Sequence, residues 1–172
     1  MEQKIIQFIQ YRRHELMNQL QMIQGYIQLK KLDLAIDKIG EVVEDYEQER
    51  RLFYLRIPKF TWWLFTLPLE ENWYPLTYEI SNFSQTIEHL DETILLKSQE
   101  IIGKLLTCIH HTQVSEGKIN LIEDGEDMII HVDLHGDFSL LKERHFDMQE
   151  VSYTVKKDKM TAIYSVALHK KV

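Results

Sequence analysis

The chain has 172 residues and a formal net charge of −7 at pH 7, from 20 Lys and Arg against 27 Asp and Glu. This acidic balance argues against nucleic-acid binding, which needs a basic face. Hydrophobic residues make up 44% of the chain, but no apolar run approaches the roughly 18 residues of a membrane span. We therefore expect a globular protein that binds neither nucleic acid nor membrane.

The signals for cell compartment agree with a cytoplasmic protein. Residues Met1–Lys4 lead into an amphipathic pattern instead of the apolar stretch of a secretory signal. The single cysteine, Cys108, excludes a disulfide within one chain, which suits a reducing compartment. We therefore expect the cytoplasm as its location.

The first segment is predicted to be one amphipathic helix from near Met1 to about Leu32. Its apolar residues fall within a stripe roughly 60° wide at 100° per residue, which is typical of a face that packs on other helices. These residues are Ile5, Ile9, Leu16, Leu20, Ile23 and Ile27. His14 lies roughly 150° from the middle of that stripe, so its imidazole is expected to face water. The polar side also contains Gln7, Gln10, Asn18, Gln21 and Gly25.

Two interpretations of His14 follow from this pattern. An exposed histidine on a helix is usually an ordinary solvated residue. Arg13 and Glu15 flank it, however, as a charge pair that suits a phosphoryl group and sets the basicity of the ring. Gly25 destabilises a helix interior by roughly 1 kcal/mol relative to Ala. A glycine at this position is explained if the backbone of another protein lies against this face. Composition and spacing alone leave the choice open.

A second amphipathic helix is predicted after a tight reversal at Lys31–Asp33, with Asp33 as its N-cap. Its apolar stripe contains Ile36, Ile39, Val43, Tyr46 and Phe53. Two such helices joined by a short turn form an antiparallel hairpin, which cannot cover both stripes by itself. Either a second copy covers them, in a C2 homodimer that forms a four-helix bundle, or the C-terminal domain of the same chain does.

The pattern changes at Ile57–Pro58, because a residue before proline is pushed out of the helical region. We therefore divide the chain into a helical hairpin, residues 1–56, and a C-terminal domain, residues 57–172, which gives an α+β fold. A buried helix and connector are predicted over Phe60–Trp73.

Both strand and helix patterns occur in the C-terminal domain. A short strand is predicted at Leu76–Ile80 and a helix at Thr93–His111. Alternating apolar residues then predict an antiparallel sheet. Its strands lie around 119–121, 128–134, 151–155 and 162–168, with turns at 123–126 and 156–159.

The first helix resembles the histidine box of the sporulation initiation phosphotransferase B family, phosphorelay proteins of spore-forming bacilli. That box reads approximately Arg-His-Asp/Glu, two residues, Asn, one residue, Leu-Gln, three residues, Gly. It is matched by Arg13, His14, Glu15, Asn18, Leu20, Gln21 and Gly25. Related boxes occur in citrate- and dicarboxylate-type sensor histidine kinases. Tyr74–Glu79 and Asp133–Phe138 are similar to two further segments of the family, so the resemblance covers nearly the whole chain.

The resemblance implies a phosphotransferase in the initiation of sporulation. His14 would be the phosphoacceptor, taking a phosphoryl group from an aspartyl phosphate on one response regulator and passing it to the Asp of another. Arg13 would offset phosphoryl charge, and Glu15 would orient the ring or hold its proton. Partner docking would involve Gln10, Asn18, Gln21 and Gly25.

The same resemblance implies particular partners. The donor would be a single-domain sporulation regulator and the acceptor the sporulation transcription factor, with Mg²⁺ in the acidic pocket of the receiver. It also favours the homodimer, and a C-terminal domain like a degenerate histidine-kinase ATPase domain.

A sensor kinase would need an ATP site, and the sequence lacks its parts. The segment that would carry the magnesium-binding Asn, Ile102–His111, contains neither Asn nor Asp. The Asp-x-Gly-x-Gly adenine turn would fall at Asp133–Phe138, which has one glycine. No two of the six glycines lie close enough for a phosphate-cradling loop. We therefore predict no bound cofactor and no autokinase activity.

The sequence also suggests a non-catalytic module and a zinc site as alternatives. A non-catalytic module derived from a sensor histidine kinase would bind receivers or kinases without turnover, and labelling of His14 distinguishes it. A zinc site is disfavoured, because adjacent helical histidines point about 100° apart and the strand pair lacks a carboxylate or Cys at ligand spacing. The histidines concerned are His110, His111, His131 and His135. We therefore predict no metal site.

Overall fold

A computed structural model describes residues 2–67, 76–108, 114–139 and 151–168. The chain forms two compact units, Met1–Arg50 and Arg51–Val172. The division falls inside the second helix, before the boundary between 56 and 57 that the sequence predicts. The reason is that Leu52, in the last turn of this helix, and Leu55, directly after its end, are buried in the core of the second unit.

The first unit is built from two helices, α1 (Glu2–Gln28) and α2 (Leu32–Tyr54). Arg12 of α1 forms an ion pair with Glu49 of α2. Its guanidinium carbon also lies 5.8 Å from the centre of the Tyr46 ring. These contacts join the first half of α1 to the second half of α2, as an antiparallel hairpin requires.

The reversal between the helices comes earlier than the sequence predicts. Asp33 lies in the first turn of α2 and not at its N-cap. In the first turn its negative charge still interacts favourably with the helix dipole. Lys30 adopts a φ of 57°, and its amide donates to the carbonyl of Ile27. The amide of Lys31 donates to the carbonyl of Tyr26. These two hydrogen bonds end α1 in a Schellman motif. Its left-handed position, which Lys30 holds here, is usually occupied by glycine.

The second unit combines helices with a five-stranded sheet, which confirms the α+β class. Its helices are α3 (Pro58–Thr66) and α4 (Asp91–Cys108), and a 3-10 turn at Glu88–Leu90 precedes α4. Its strands are β1 (Leu76–Ile80), β2 (Val114–Asp124), β3 (Asp127–Gly136), β4 (Val151–Val155) and β5 (Lys159–Ala167). The order across the sheet is β1-β2-β3-β5-β4.

The sheet is mixed: strands β2 to β5 pair antiparallel, as the sequence predicts, and β1 adds a parallel edge whose pairing was not predicted. β1 pairs with β2 in parallel, with Leu76 opposite Gly117. The other three pairings are antiparallel. The physical reason is the connection, because α4 lies between β1 and β2 in the chain and carries it back to the same end of the sheet.

Most other elements lie where the sequence predicts them. The strand at Leu76–Ile80 is β1, and the helix predicted from Thr93 begins slightly earlier, at Asp91. The remainder of the predicted connector, 68–73, and the end of that helix, 109–111, lie outside the described residues. The core contains alternate residues of the central strands together with one side of α4. Its members include Ile119, Leu121, Ile130, Val132, Ala162, Ile94, Ile101 and Leu105.

One buried carboxylate connects α3 to α4. Asp91, which is 8% exposed, accepts hydrogen bonds from the backbone amides of Lys59 and Phe60, each at 2.9 Å. A helix leaves its first amides without partners inside the helix. Pro58 occupies the start of α3 and has no amide to satisfy. Asp91 therefore caps α3 from the neighbouring helix.

We expect Asp91→Ala to lower the free energy of unfolding of the second unit by about 2–3 kcal/mol, because two amides lose a charged acceptor. Asp91→Asn keeps one acceptor oxygen and should lose about half as much. Urea unfolding followed by the fluorescence of Trp62 and Trp63 on α3 measures the change. Glu92→Ala is the control: it removes only an exposed ion pair with Lys59, 2.7 Å between Nζ and Oε2, and should lose much less stability than Asp91→Ala. Equal stability of Asp91→Ala and Glu92→Ala would contradict the capping role.

Candidate functional site

The candidate site lies near the middle of α1, on its polar face. His14 is exposed, and so are Gln10, Asn18 and Gln21 along the same side of the helix. Further along, Gly25 is partly exposed, and a Cβ built on it would meet no atom within 4 Å. The predicted polar face is therefore present as a surface open to a partner.

The side-chain amide of Asn18 contacts the ring of His14. The amide nitrogen, Nδ2, lies 3.2 Å from Nδ1 of the ring. The oxygen and nitrogen of an Asn amide exchange places on a 180° flip. The contact is therefore either an amide N–H donated to a bare Nδ1 or an Nδ1–H donated to the amide oxygen. In both forms Nδ1 is engaged, and Nε2 is the nitrogen left for a partner.

The two charged neighbours of His14 lie on different sides of the helix. At 100° per residue, Arg13 and Glu15 each lie about 100° from the histidine, in opposite directions. Glu15 lies near Tyr11, where burial and then the Glu15 charge raise the pKa of the phenol above its ordinary value. The side chain that is hydrogen-bonded to the ring is that of Asn18.

The two adjacent arginines of α1 differ in what they contact. Arg12 is tied to α2 through Glu49 and Tyr46. Arg13 is exposed and directly precedes the histidine. The arginine left exposed next to His14 is therefore Arg13.

The hairpin also carries an exposed apolar seam. Its α1 members are 40–58% exposed and its α2 members 46–66% exposed. They are Ile5, Ile9, Leu20 and Ile27 on α1, and Leu32, Ile36, Ile39 and Val43 on α2. Leu16 and Ile23 of the predicted α1 stripe are partly buried. Exposed apolar surface arranged along two neighbouring helices is typical of an interaction face.

The segment that would form the adenine turn of a kinase is extended here. Asp133 belongs to β3, which continues to Gly136. Its carboxylate, 5% exposed, accepts a hydrogen bond from Thr161 Oγ1 at 2.6 Å and pairs with Lys159 Nζ at 3.1 Å. Burial raises the pKa of Asp133, but these two partners and the nearby His131 hold it below its ordinary value. This carboxylate is therefore engaged inside the sheet.

The described ranges, 2–67, 76–108, 114–139 and 151–168, contain neither a membrane-spanning helix nor a metal-ligand cluster. Within them, no helix has the length and apolar character that a membrane span requires. Nor do three or more His, Cys, Asp or Glu side chains there come together as a metal site. Of the candidate zinc ligands, His110 and His111 lie outside the described residues.

Comparisons with known proteins match both the hairpin and most of the chain. The family model described as Sensor_kinase_SpoOB-type, alpha-helical domain matches residues 1–55. Among curated proteins, the chain is similar to sporulation initiation phosphotransferase B of Bacillus subtilis (strain 168). The two are 24% identical over 138 residues, which is 79% of this chain and 72% of the relative. The candidate histidine and its polar face lie within the range that the family model matches.

Two solved structures are similar at low sequence identity. The histidine kinase AdeS of Acinetobacter baumannii has a TM-score of 0.41 and 10% identity, over 91% of this chain and 98% of that chain. The histidine kinase ThkA, in complex with the response regulator protein TrrA, has a TM-score of 0.41 and 10% identity. That match covers 95% of this chain and 61% of the other.

Proposed function

Because the chain belongs to the sporulation initiation phosphotransferase B family, we propose that it is a phosphorelay phosphotransferase that carries the phosphoryl group on His14. The family places it among two-component signalling proteins. The donor is a response-regulator receiver with an aspartyl phosphate, and the acceptor is the Asp of a second receiver. The observation that carries the proposal is the exposed His14, whose Nδ1 is engaged and whose Nε2 is left for a partner.

Each half of the proposed reaction exchanges one reactive phosphoryl bond for another. A lone pair on the imidazole attacks phosphorus in line, so that an N–P bond forms while the P–O bond to the receiver's Asp breaks. The Asp leaves as a carboxylate, and the second receiver reverses the exchange. Catalysis then consists mainly of positioning and charge neutralisation. Arg13 supplies positive charge beside the phosphoryl group, and Mg²⁺ belongs to the acidic pocket of the receiver.

The docking surface is the polar face of α1. Gln10 and Gln21 offer amide donors and acceptors on either side of His14, and both are exposed. Gly25 leaves a stretch without a side chain, where the backbone of a receiver loop can approach the helix.

We propose further that the chain does not use ATP. Of the three parts of a kinase site, the segment Ile102–His111 lacks Asn and Asp, and the sequence lacks closely spaced glycines. The third part, the adenine-binding turn, would require Asp133, whose carboxylate bonds Thr161 and Lys159 within the sheet.

The apolar seam is proposed to pair with the seam of a second copy. When a hairpin exposes apolar side chains on both helices, C2 pairing into a four-helix bundle is the simplest arrangement that covers them. Pairing through the seam leaves the polar face of α1, including His14, on the outside, where receivers can reach it.

The direct test is transfer from a receiver labelled at its Asp by radioactive acetyl phosphate. We expect label on the wild-type chain in an acid-labile, base-stable form, and none on His14→Gln, which lacks the nucleophile. ATP alone should label neither. His14→Gln should still bind the receiver, because little of the docking surface changes. A wild type that binds receivers without becoming labelled would support the non-catalytic module, and label from ATP alone would indicate a kinase.

Gly25 tests where the receiver docks. Gly25→Gln should weaken receiver binding and slow transfer by roughly tenfold or more, because its side chain stands between helix and partner. Gly25→Ala adds one methyl group in open space and should slow transfer much less. Both variants should fold as well as the wild type or better, by up to about 1 kcal/mol, since glycine is a poor helix former. Transfer by Gly25→Gln at the wild-type rate would show that the receiver docks elsewhere.

The dimer is tested by a charge in the apolar seam. Leu20→Asp should dissociate or unfold the hairpin, because an unpaired carboxylate buried in an interface costs several kcal/mol. Met22→Asp makes the same change about 130° away from the stripe and should stay dimeric. Analytical ultracentrifugation at micromolar concentration reads the mass, and one chain is 20.7 kDa. A monomeric wild type would contradict the proposed pairing.

A further inference from the structure

We propose that Asn18 is a positioning residue that holds the His14 ring with Nδ1 protonated and Nε2 bare. This inference rests on the proposed function of His14, but it concerns the ring of the free protein. The observation behind it is the 3.2 Å separation between the Asn18 amide and Nδ1. Sequence reasoning assigned Asn18 to receiver docking, whereas the structure places its amide on the histidine.

The two possible forms of the contact have opposite chemical consequences. If the Asn18 amide donates N–H to Nδ1, a neutral ring carries its proton on Nε2, and the outward nitrogen has no lone pair for phosphorus. If the amide is flipped, Oδ1 accepts the proton of Nδ1, and Nε2 keeps its lone pair. Only the flipped form combines an engaged Nδ1 with a nucleophile on the accessible side of the ring. The proposed reaction therefore selects the flipped form.

The helix fixes the geometry of this contact. Residues four apart lie above one another on an α-helix, and His14 and Asn18 both fall well inside the 27-residue helix α1. The Asn18 side chain is short, so few rotations must be restricted to keep its amide beside the ring. The nearest carboxylate in sequence, Glu15, lies on the Tyr11 side of the helix. Asn18 is thus the group placed to select the tautomer.

The same contact also helps during the exchange of the phosphoryl group. As Nε2 bonds to phosphorus and the P–O bond to the receiver's Asp breaks, positive charge spreads over the ring. The proton stays on Nδ1 and its hydrogen bond to Asn18 Oδ1 becomes charge-assisted, which strengthens it. The bond therefore stabilises the phosphorylated ring more than the free ring, without any contact between Asn18 and phosphorus.

Long-range proton–nitrogen NMR correlation of the free protein, at a pH where the imidazole is neutral, tests the tautomer without any receiver. In the wild type, His14 should be mainly Nδ1–H, the reverse of the preference of a free imidazole side chain. In Asn18→Leu it should be mainly Nε2–H, and Asn18→Asp, which keeps an acceptor, should restore Nδ1–H. Glu15→Gln is the matched control and should leave the tautomer ratio of the wild type unchanged. The same ratio in the wild type and in Asn18→Leu would overturn the proposal.

A kinetic measurement separates positioning from docking. With saturating phosphorylated receiver, Asn18→Leu should transfer about threefold to tenfold more slowly, the size expected for one hydrogen bond, with receiver affinity nearly unchanged. A loss confined to receiver affinity would overturn the positioning role and return Asn18 to the docking surface.

The proposal of phosphotransfer through His14 and the proposal of the positioning role of Asn18 are refuted by different results. An unlabelled wild type with the predicted tautomer would refute phosphotransfer alone, and a labelled wild type without the tautomer effect would refute only the role of Asn18.

Discussion

The arrangement of side chains around the axis of α1 determines what the first unit can do. At 100° per residue, the centre of the apolar seam lies roughly 150° from His14, so the helix pairing and the chemistry that we propose fall on different faces of α1. The ion pair and ring contact of Arg12 with α2 hold the hairpin in register. The neighbouring Arg13 is left exposed. A shift of one residue in this pairing would rotate α1 by about 100° relative to α2 and so change which side chains of α1 face α2.

In the function that we propose, the polar groups of the candidate site fall into two sets, one that positions the His14 ring and one that contacts a partner. Asn18 contacts Nδ1, while Gln10 and Gln21 stay exposed on either side. In the second unit, by contrast, the conspicuous carboxylates serve the fold. Asp91 caps α3, and Asp133 joins β3 to β5 through Thr161. The chemistry that we propose therefore belongs to the helical hairpin.

Periodicity predicted the elements well where a single face is buried. The two long helices, the short strand β1 and the alternating strands β2 to β5 all follow from it. The early end of α1 did not, because it depends on Lys30 taking a left-handed conformation that a lysine side chain does not signal. The parallel edge was overlooked although its cue was present, since a helix predicted between two strands indicates a crossover connection.

The candidate site was less predictable than the fold. The exposure of His14 follows from its angle around the helix, but the choice of its hydrogen-bond partner does not. Sequence adjacency favoured Glu15 as the residue that orients the ring, while stacking four residues apart favours Asn18. The cap on α3 from Asp91 joins segments more than thirty residues apart, and no local pattern reports such a contact.

The central claim is that His14 passes the phosphoryl group on and is regenerated. It is tested most directly in a mixture of two receivers, the first labelled at its Asp and the second unlabelled, with the chain at a small fraction of their concentration. The account predicts that label reaches the second receiver in many-fold molar excess over the chain. Label that stops on His14 at one equivalent per chain, or that reaches the second receiver equally fast without the chain, would contradict it.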